Sequence, residues 1–95
     1  VTYNDLTLEI NNYQVHRQGQ PIELTSKEFE LLQMMLLSQG KVFSREEFLD
    51  TIWGYDSFVD SRAIDVHIKN LRSKLGKDII QTVKGIGYRI EKETN

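Results

Sequence analysis

Residues 60–90 read DSRAIDVHIKNLRSKLGKDIIQTVKGIGYRI, and the reading of this stretch decides the fold. Successive helical residues sit about 100° apart, so Ile64, Ile68, Leu71 and Leu75 fall in one narrow apolar stripe. Opposite them stand Arg62, Val66, Lys69, Asn70 and Ser73. A buried stripe backed by cations, an amide, a hydroxyl and one small branched side chain suits a DNA major groove. There Arg, Lys and Asn reach base edges or phosphates, and Val meets a thymine methyl. An ordinary amphipathic surface helix accounts for the stripe equally well; the hairpin pattern C-terminal to the helix tips the balance.

Asp60 or Ser61 caps this third helix, which ends near Gly76. Ile79 to Val83 reads as a strand, Lys84-Gly85-Ile86-Gly87 as a turn, and Tyr88-Arg89-Ile90 as the returning antiparallel strand. The two glycines suit a tight hairpin tip with positive φ angles rather than a phosphate loop, which needs a third glycine and a following helix. Lys84 beside them is a cation at the end of a hairpin, placed to enter a minor groove of negative potential. Thr82 on the preceding strand can hydrogen-bond a phosphate.

Upstream, Thr25 with Glu28 and Ser44 with Glu47 each form a capping box. Leu24/Phe29 and Phe43/Phe48 stand where hydrophobic staples form. Helix one turns Phe29, Leu32, Met35 or Leu36 to the core and ends at Gly40 as a left-handed C-cap. Helix two runs from about Arg45 to Trp53 and stops at Gly54. Before them, Leu6, Leu8 and Ile10, then Tyr13 and Val15, then Ile22 and Leu24 alternate with polar neighbours. Asn11 or Asn12 and Gly19 supply tight turns between them. This pattern is a small antiparallel sheet of three or four short strands. Two helices joined by a short loop, the second followed by a β-hairpin, is the order of a winged helix-turn-helix.

Ninety-five residues make one domain, 1–95, with a single core. No apolar run is long enough to span a bilayer, and the absence of cysteine fits a reducing cytoplasm. The net charge of −2 conceals an asymmetry. Residues 1–60 carry four basic groups against ten acidic, a net of −6; residues 61–95 carry eight against four, a net of +4. One end of the domain can therefore face a polyanion. The excess is modest, so binding by one copy is weak and salt-sensitive, and tight binding needs two copies.

Catalysis is the poorest explanation of the chain. Glu47 is used in capping, and Glu46 and Asp50 share a solvated helix face. Neither His16 nor His67 has a second ligand at metal spacing, so no metal or cofactor is implied. His67 lies on the flank between the stripe and the polar face, at the core edge, where a phosphate contact is open to it. Trp53 either closes the core at the end of helix two or touches a phosphate or a protein. A protein-interaction module is the competing class, favoured by the acidic first half and the aromatics Tyr55 and Phe58.

The segments Leu24-Thr25-x-x-Glu28-Phe29-x-Leu31-Leu32, Ser44-Arg45-Glu46-x-x-Leu49, Trp53-Gly54, Arg62-x-x-Asp65-Val66-His67-Ile68-x-x-Leu71-Arg72-x-Lys74-Leu75 and Thr82-Val83-Lys84-Gly85-x-Gly87-Tyr88-Arg89 resemble the effector domain of OmpR/PhoB-type response regulators. The likeness covers essentially the whole chain. It implies an α+β winged helix-turn-helix with an N-terminal four-stranded antiparallel sheet, three helices and a C-terminal hairpin wing. It implies a recognition helix, about 61–75, in the major groove, with Arg62, Val66, His67, Lys69, Asn70 and Arg72 at the DNA. The wing, 82–88, then places Lys84 in the minor groove and Thr82 on a phosphate, while Trp53 resembles a backbone-contacting position.

The loop Gly54, Tyr55, Asp56, Ser57, Phe58, Val59 and Asp60 looks like the segment that engages RNA polymerase, often its sigma subunit. The resemblance further implies head-to-tail homodimers on direct repeats and a receiver domain phosphorylated by a sensor histidine kinase. Several relatives carry a second Arg or Lys where Asn70 stands, so base preference does not transfer by analogy. With no receiver segment in these 95 residues, the expected reading is a fragment of a longer regulator.

Overall fold

The computed structural model describes residues 1–54 and 58–93. The chain opens as a four-stranded antiparallel meander of β1 (Thr2–Tyr3), β2 (Leu6–Glu9), β3 (Gln14–Arg17) and β4 (Gln20–Ile22). The register places Leu8 opposite Val15 and Val15 opposite Ile22, so the apolar members of each strand share one face. Leu6, Leu8 and Val15 are buried there while Thr7 is exposed, as the alternation requires. Gln18 and Gly19, at φ +52° and +80°, make the β3–β4 turn. Two consecutive positive φ angles match the right-handed twist of the flanking strands.

The β2–β3 connection departs from expectation. Ile10–Asn12 form a short 3-10 turn, and Tyr13 rather than either asparagine takes the left-handed position, at φ +51°. Tyr13 is held there by stacking on Phe29, with ring centroids 4.7 Å apart, and by donating its hydroxyl to Glu30 at 3.2 Å.

Helix α1 (Ser26–Leu36) starts with the expected box: Thr25 Oγ1 accepts from Glu28 N–H at 3.2 Å, and Glu28 Oε1 accepts from Thr25 N–H at 3.0 Å. The helix ends at Leu36, four residues before Gly40, so Gly40 is not its immediate C-cap. Its φ of +90° instead turns the chain so that its N–H donates to Ile90 O at 2.7 Å, tying the end of the helical turn to the C-terminal strand region.

Ser44 and Glu47 form the second box, at the start of α2 (Arg45–Phe48). The expected single helix to Trp53 is divided, because Leu49–Trp53 widens into a π-turn. Gly54 N–H closes it on Leu49 O at 2.8 Å, and Gly54 leaves it at φ +93°.

Helix α3 (Arg62–Leu75) comes next. Of the two expected caps Asp60 is the one used, its Oδ1 accepting from Arg62 N–H at 2.9 Å, whereas Ser61 makes no side-chain cap bond. At the far end Arg17 Nη1 donates to Leu75 O at 2.6 Å, a cation against the negative end of the helix dipole.

The first C-terminal strand is shorter than the sequence suggests, and the returning strand is shifted by one residue. A strand β5 at Phe43–Ser44, which the sequence does not signal, pairs with β7 (Gly87–Arg89), which pairs with β6 (Gln81–Val83), giving the order β5-β7-β6. Ile79 and Ile80 precede the strand rather than belong to it; Ile80 is buried in the core. The three helices and both sheets close on Leu31, Leu32, Met35, Phe29, Phe48, Ile64, Ile68, Leu71 and Leu75, all at most 1% exposed. Each such side chain contributes about 1.5–3 kcal/mol of burial, and this fixes the rotation of α3 about its axis.

Candidate nucleic-acid interface

With Ile64, Ile68, Leu71 and Leu75 turned inward, the opposite side of α3 has nowhere to go but solvent. Arg62, Val66, Lys69, Asn70 and Ser73 are all exposed, Val66 by 57%. Arg62, Lys69, Lys77 and Lys84 enter no ion pair among the described residues, so their charge is available to a polyanion.

The wing is set beside this row by a network at the junction of α2, α3 and β7. Asp65 accepts from Arg45 Nε at 2.8 Å and from the Tyr88 hydroxyl. The Tyr88 hydroxyl, and after it the Arg45 guanidinium, hold the Asp65 carboxyl below its usual range against the opposing effect of burial. Burial and then Asp65 push the Tyr88 phenol above its ordinary value. The Tyr88 ring lies near two guanidinium groups, Arg45 at 5.5 Å and Arg72 at 5.6 Å.

Arg72, expected at the DNA, is turned toward the wing. It is half-buried, donates to Ile80 O through Nη2 at 2.8 Å and Nε at 3.3 Å, and donates Nη2 to Thr82 Oγ1 at 2.8 Å. Thr82 and Lys84 are exposed on the hairpin, whose tip is closed by Ile86 N–H on Val83 O at 2.9 Å. Of the two glycines expected at positive φ, Gly85 has it, at +78°. Gly87 does not; it is required for a different reason, since a Cβ there would lie 1.9 Å from Phe43 O.

A second junction holds α3 against α1. Glu28, 2% exposed, accepts from Lys74 Nζ at 2.6 Å while capping its own helix. Burial alone raises its pKa, yet the Lys74 ammonium and the Thr25 N–H outweigh this and hold the carboxyl below its ordinary value. Neither Glu28–Lys74 nor Arg45–Asp65–Tyr88 is legible in the sequence as a structural tie. The partners lie 46, 20 and 23 residues apart, and only the helix spacing of Asp65 hints at an inward-leaning flank.

Trp53 and His67 meet at the edge of the row, with ring centroids 5.4 Å apart. Trp53 is half-buried against the core, and the Lys27 ammonium sits 5.3 Å from its ring. His67 is half-buried, with Nδ1 enclosed and making no hydrogen bond among the described residues. In the loop after Gly54, Phe58 is fully exposed and Val59 and Asp60 are exposed; Tyr55, Asp56 and Ser57 lie outside the described residues. Among the described residues no helix is long and apolar enough to cross a membrane.

Two helices at a solvent-facing junction, the second flanked by a three-stranded hairpin sheet, define a winged helix-turn-helix domain. The family pattern described as "Transcriptional regulatory protein, C terminal" matches residues 19–90. The chain belongs to this family, the winged-helix DNA-binding domains of OmpR/PhoB-type response regulators.

Among curated relatives it is 42% identical over 91 residues to the phosphate regulon transcriptional regulatory protein PhoB of Rhizobium meliloti, covering 92% of this chain and 40% of that protein. It is 43% identical over 86 residues to the regulatory protein VanRB of Enterococcus faecalis, covering 90% and 39%. The chain thus spans about two fifths of the length of these relatives. Among solved structures, the DNA-binding domain of CpxR from E. coli superposes with a TM-score of 0.86 at 32% identity, over 99% of this chain and 97% of that one. The Klebsiella pneumoniae RstA DNA-binding domain, solved in complex with the RstA box, gives 0.84 at 27% identity over 96% and 95%.

Proposed function

We propose that the domain binds specific duplex DNA sequences with α3, about residues 61–75, in the major groove and the wing, 82–88, at the adjacent minor groove. The observation that carries this reading is the outward row of Arg62, Val66, Lys69, Asn70 and Ser73, opposed by a fully buried stripe and flanked by exposed Thr82 and Lys84. Lys69 and Asn70, in mid-helix, reach base edges; Val66 meets a thymine methyl; Arg62, at the start of the row, and His67, on its flank, take phosphates. Thr82 donates to a phosphate, Lys84 enters the minor groove and Trp53 abuts the backbone, while Arg72, expected at the DNA, is engaged with Ile80 and Thr82 at the helix–wing junction.

The whole regulator acts in the cytoplasm as the output half of a phosphorelay, with no enzymatic activity in this domain. A receiver segment takes phosphate from a sensor histidine kinase and promotes head-to-tail homodimers on direct repeats. The segment from Gly54 to Asp60, in which Phe58 is fully open to solvent, meets RNA polymerase through its sigma subunit. The acidic first half of the chain leaves the far side of the domain unattractive to DNA, which favours one orientation on the duplex.

Selection of bound sites from random duplexes, followed by titration of a winning site at rising salt, tests the reading. Recovery of a repeated half-site, with affinity falling steeply with salt, supports it. Enrichment of no sequence at low salt would leave the protein-interaction reading in its place.

A further inference from the structure

We infer that Arg72 is a positioning residue. It sets the wing's angle on the recognition helix and fixes the Thr82 hydroxyl as an outward donor, instead of spending its own charge on the DNA. This rests on the DNA-binding reading given above. The geometry comes from three hydrogen bonds on one guanidinium. Nε and Nη2 both donate to Ile80 O, in the segment leading into the wing, and Nη2 also donates to Thr82 Oγ1 on the wing's first strand. Ile80 is 2% exposed, so its carbonyl is anchored to the core, whereas Thr82 is exposed. Arg72 thus spans from the helix across the fixed part of the segment to its outer part.

The consequence for Thr82 comes from hydroxyl chemistry. A threonine hydroxyl has one proton to donate and two lone pairs to accept with. With a guanidinium N–H occupying one lone pair at 2.8 Å, the proton is directed away from Arg72, toward the side where a phosphate oxygen would lie. The cation also polarises the hydroxyl and strengthens its donation. The other face of Arg72 is occupied too, because its guanidinium lies 5.6 Å from the Tyr88 ring, which is itself bonded to Asp65 on α3. Helix, wing and hydroxyl are therefore aligned before DNA arrives. A lysine could not reproduce this, since a single ammonium lacks the planar fork that reaches a carbonyl and a hydroxyl together.

The experiment compares Arg72→Lys, Arg72→Gln, Thr82→Val and the Arg72→Gln/Thr82→Val double variant with the parent chain. Two quantities are measured: amide exchange of the free protein, and affinity for a duplex selected by the parent. Arg72→Gln and Arg72→Lys are both expected to speed exchange at Ile86, the hydrogen-bonded amide of the wing tip, while leaving Leu71 on α3 protected. Both should also weaken DNA binding by roughly tenfold, as loss of a charge-assisted hydrogen bond does. The double variant should bind no worse than the weaker single one, because the two residues act through one contact.

The inference is overturned if Arg72→Lys restores parent affinity, or if the Arg72→Gln and Thr82→Val losses multiply while exchange in the wing is unchanged. Either outcome makes Arg72 a direct phosphate contact. Should the parent bind no DNA at all, the functional reading fails, and the exchange data alone still decide whether Arg72 fixes the wing.

Discussion

Lys74→Met removes the one cation that, among the described residues, pairs with the nearly fully buried Glu28 carboxylate, and its cost can be worked from the structure. Breaking a wholly buried ion pair by deleting one partner costs about 3–5 kcal/mol, whereas an exposed pair is worth at most about 1 kcal/mol. Here the Glu28 side chain is 3% exposed and Lys74 is 35% exposed, so water screens one end of the pair. Glu28 also keeps its second donor, the Thr25 N–H at 3.0 Å. The expected loss therefore falls between those limits, about 2 kcal/mol.

Glu28→Gln should cost less, about 1 kcal/mol, because the amide oxygen still caps Thr25 while the Lys74 head moves into water. For a domain of this size each kcal/mol moves Tm by roughly 4–8 °C, so thermal melts followed by circular dichroism resolve the two variants. The pH dependence gives an independent check. Glu28 titrates below its ordinary value in the folded state. Its contribution is then fully present above the unfolded carboxyl pKa of about 4.3 and is lost as pH falls through the lower folded value. The stability gap between parent and Glu28→Gln should accordingly close on acidification below that point. A Lys74→Met loss under ~0.5 kcal/mol, or a gap that widens in acid, would refute the view that this pair holds α3 on α1.

Three further outcomes rest on the same geometry. Gly87→Ala places a methyl 1.9 Å from Phe43 O, inside the β5–β7 pairing, and should destabilise the domain by at least ~3 kcal/mol in urea titrations. Thr25→Ala should cost about 1 kcal/mol through loss of the α1 cap, read by the same method. Lys84→Ala should leave the melting temperature unchanged, since Lys84 is exposed and in no ion pair among the described residues, while lowering the slope of log affinity against log salt by roughly one unit.

The parts of this molecule legible in its sequence are those governed by local rules. The capping boxes at Thr25 and Ser44 need only residues three apart, and the stripe on α3 needs only helical periodicity. Both are present in the structure. The meander of β2, β3 and β4 likewise follows alternation and turn chemistry, except where Tyr13 takes the left-handed position because Phe29, sixteen residues on, offers a stacking surface; β1, two residues long, carries no alternation signal.

Long-range pairing is not legible in this way. β5 is two residues long, too short for an alternation signal, and exists because β7 lies beside it. The end of α2 widens into a π-turn that no propensity rule signals, with Gly54 bonding five residues back. Arg72 shows the limit most clearly for the site. Its type and position fit a groove-facing cation, and only the fold reveals that Ile80 and Thr82 compete for it.

The rotation of α3 about its own axis is the claim on which the functional reading stands. The most direct measurement is binding of Lys69→Ala and Asn70→Ala to a duplex selected by the parent chain and to a scrambled duplex of equal length. Each substitution should cost about 1–3 kcal/mol on the selected site and much less on the scrambled one, compressing the ratio between them. Parent-like discrimination by both variants would contradict it.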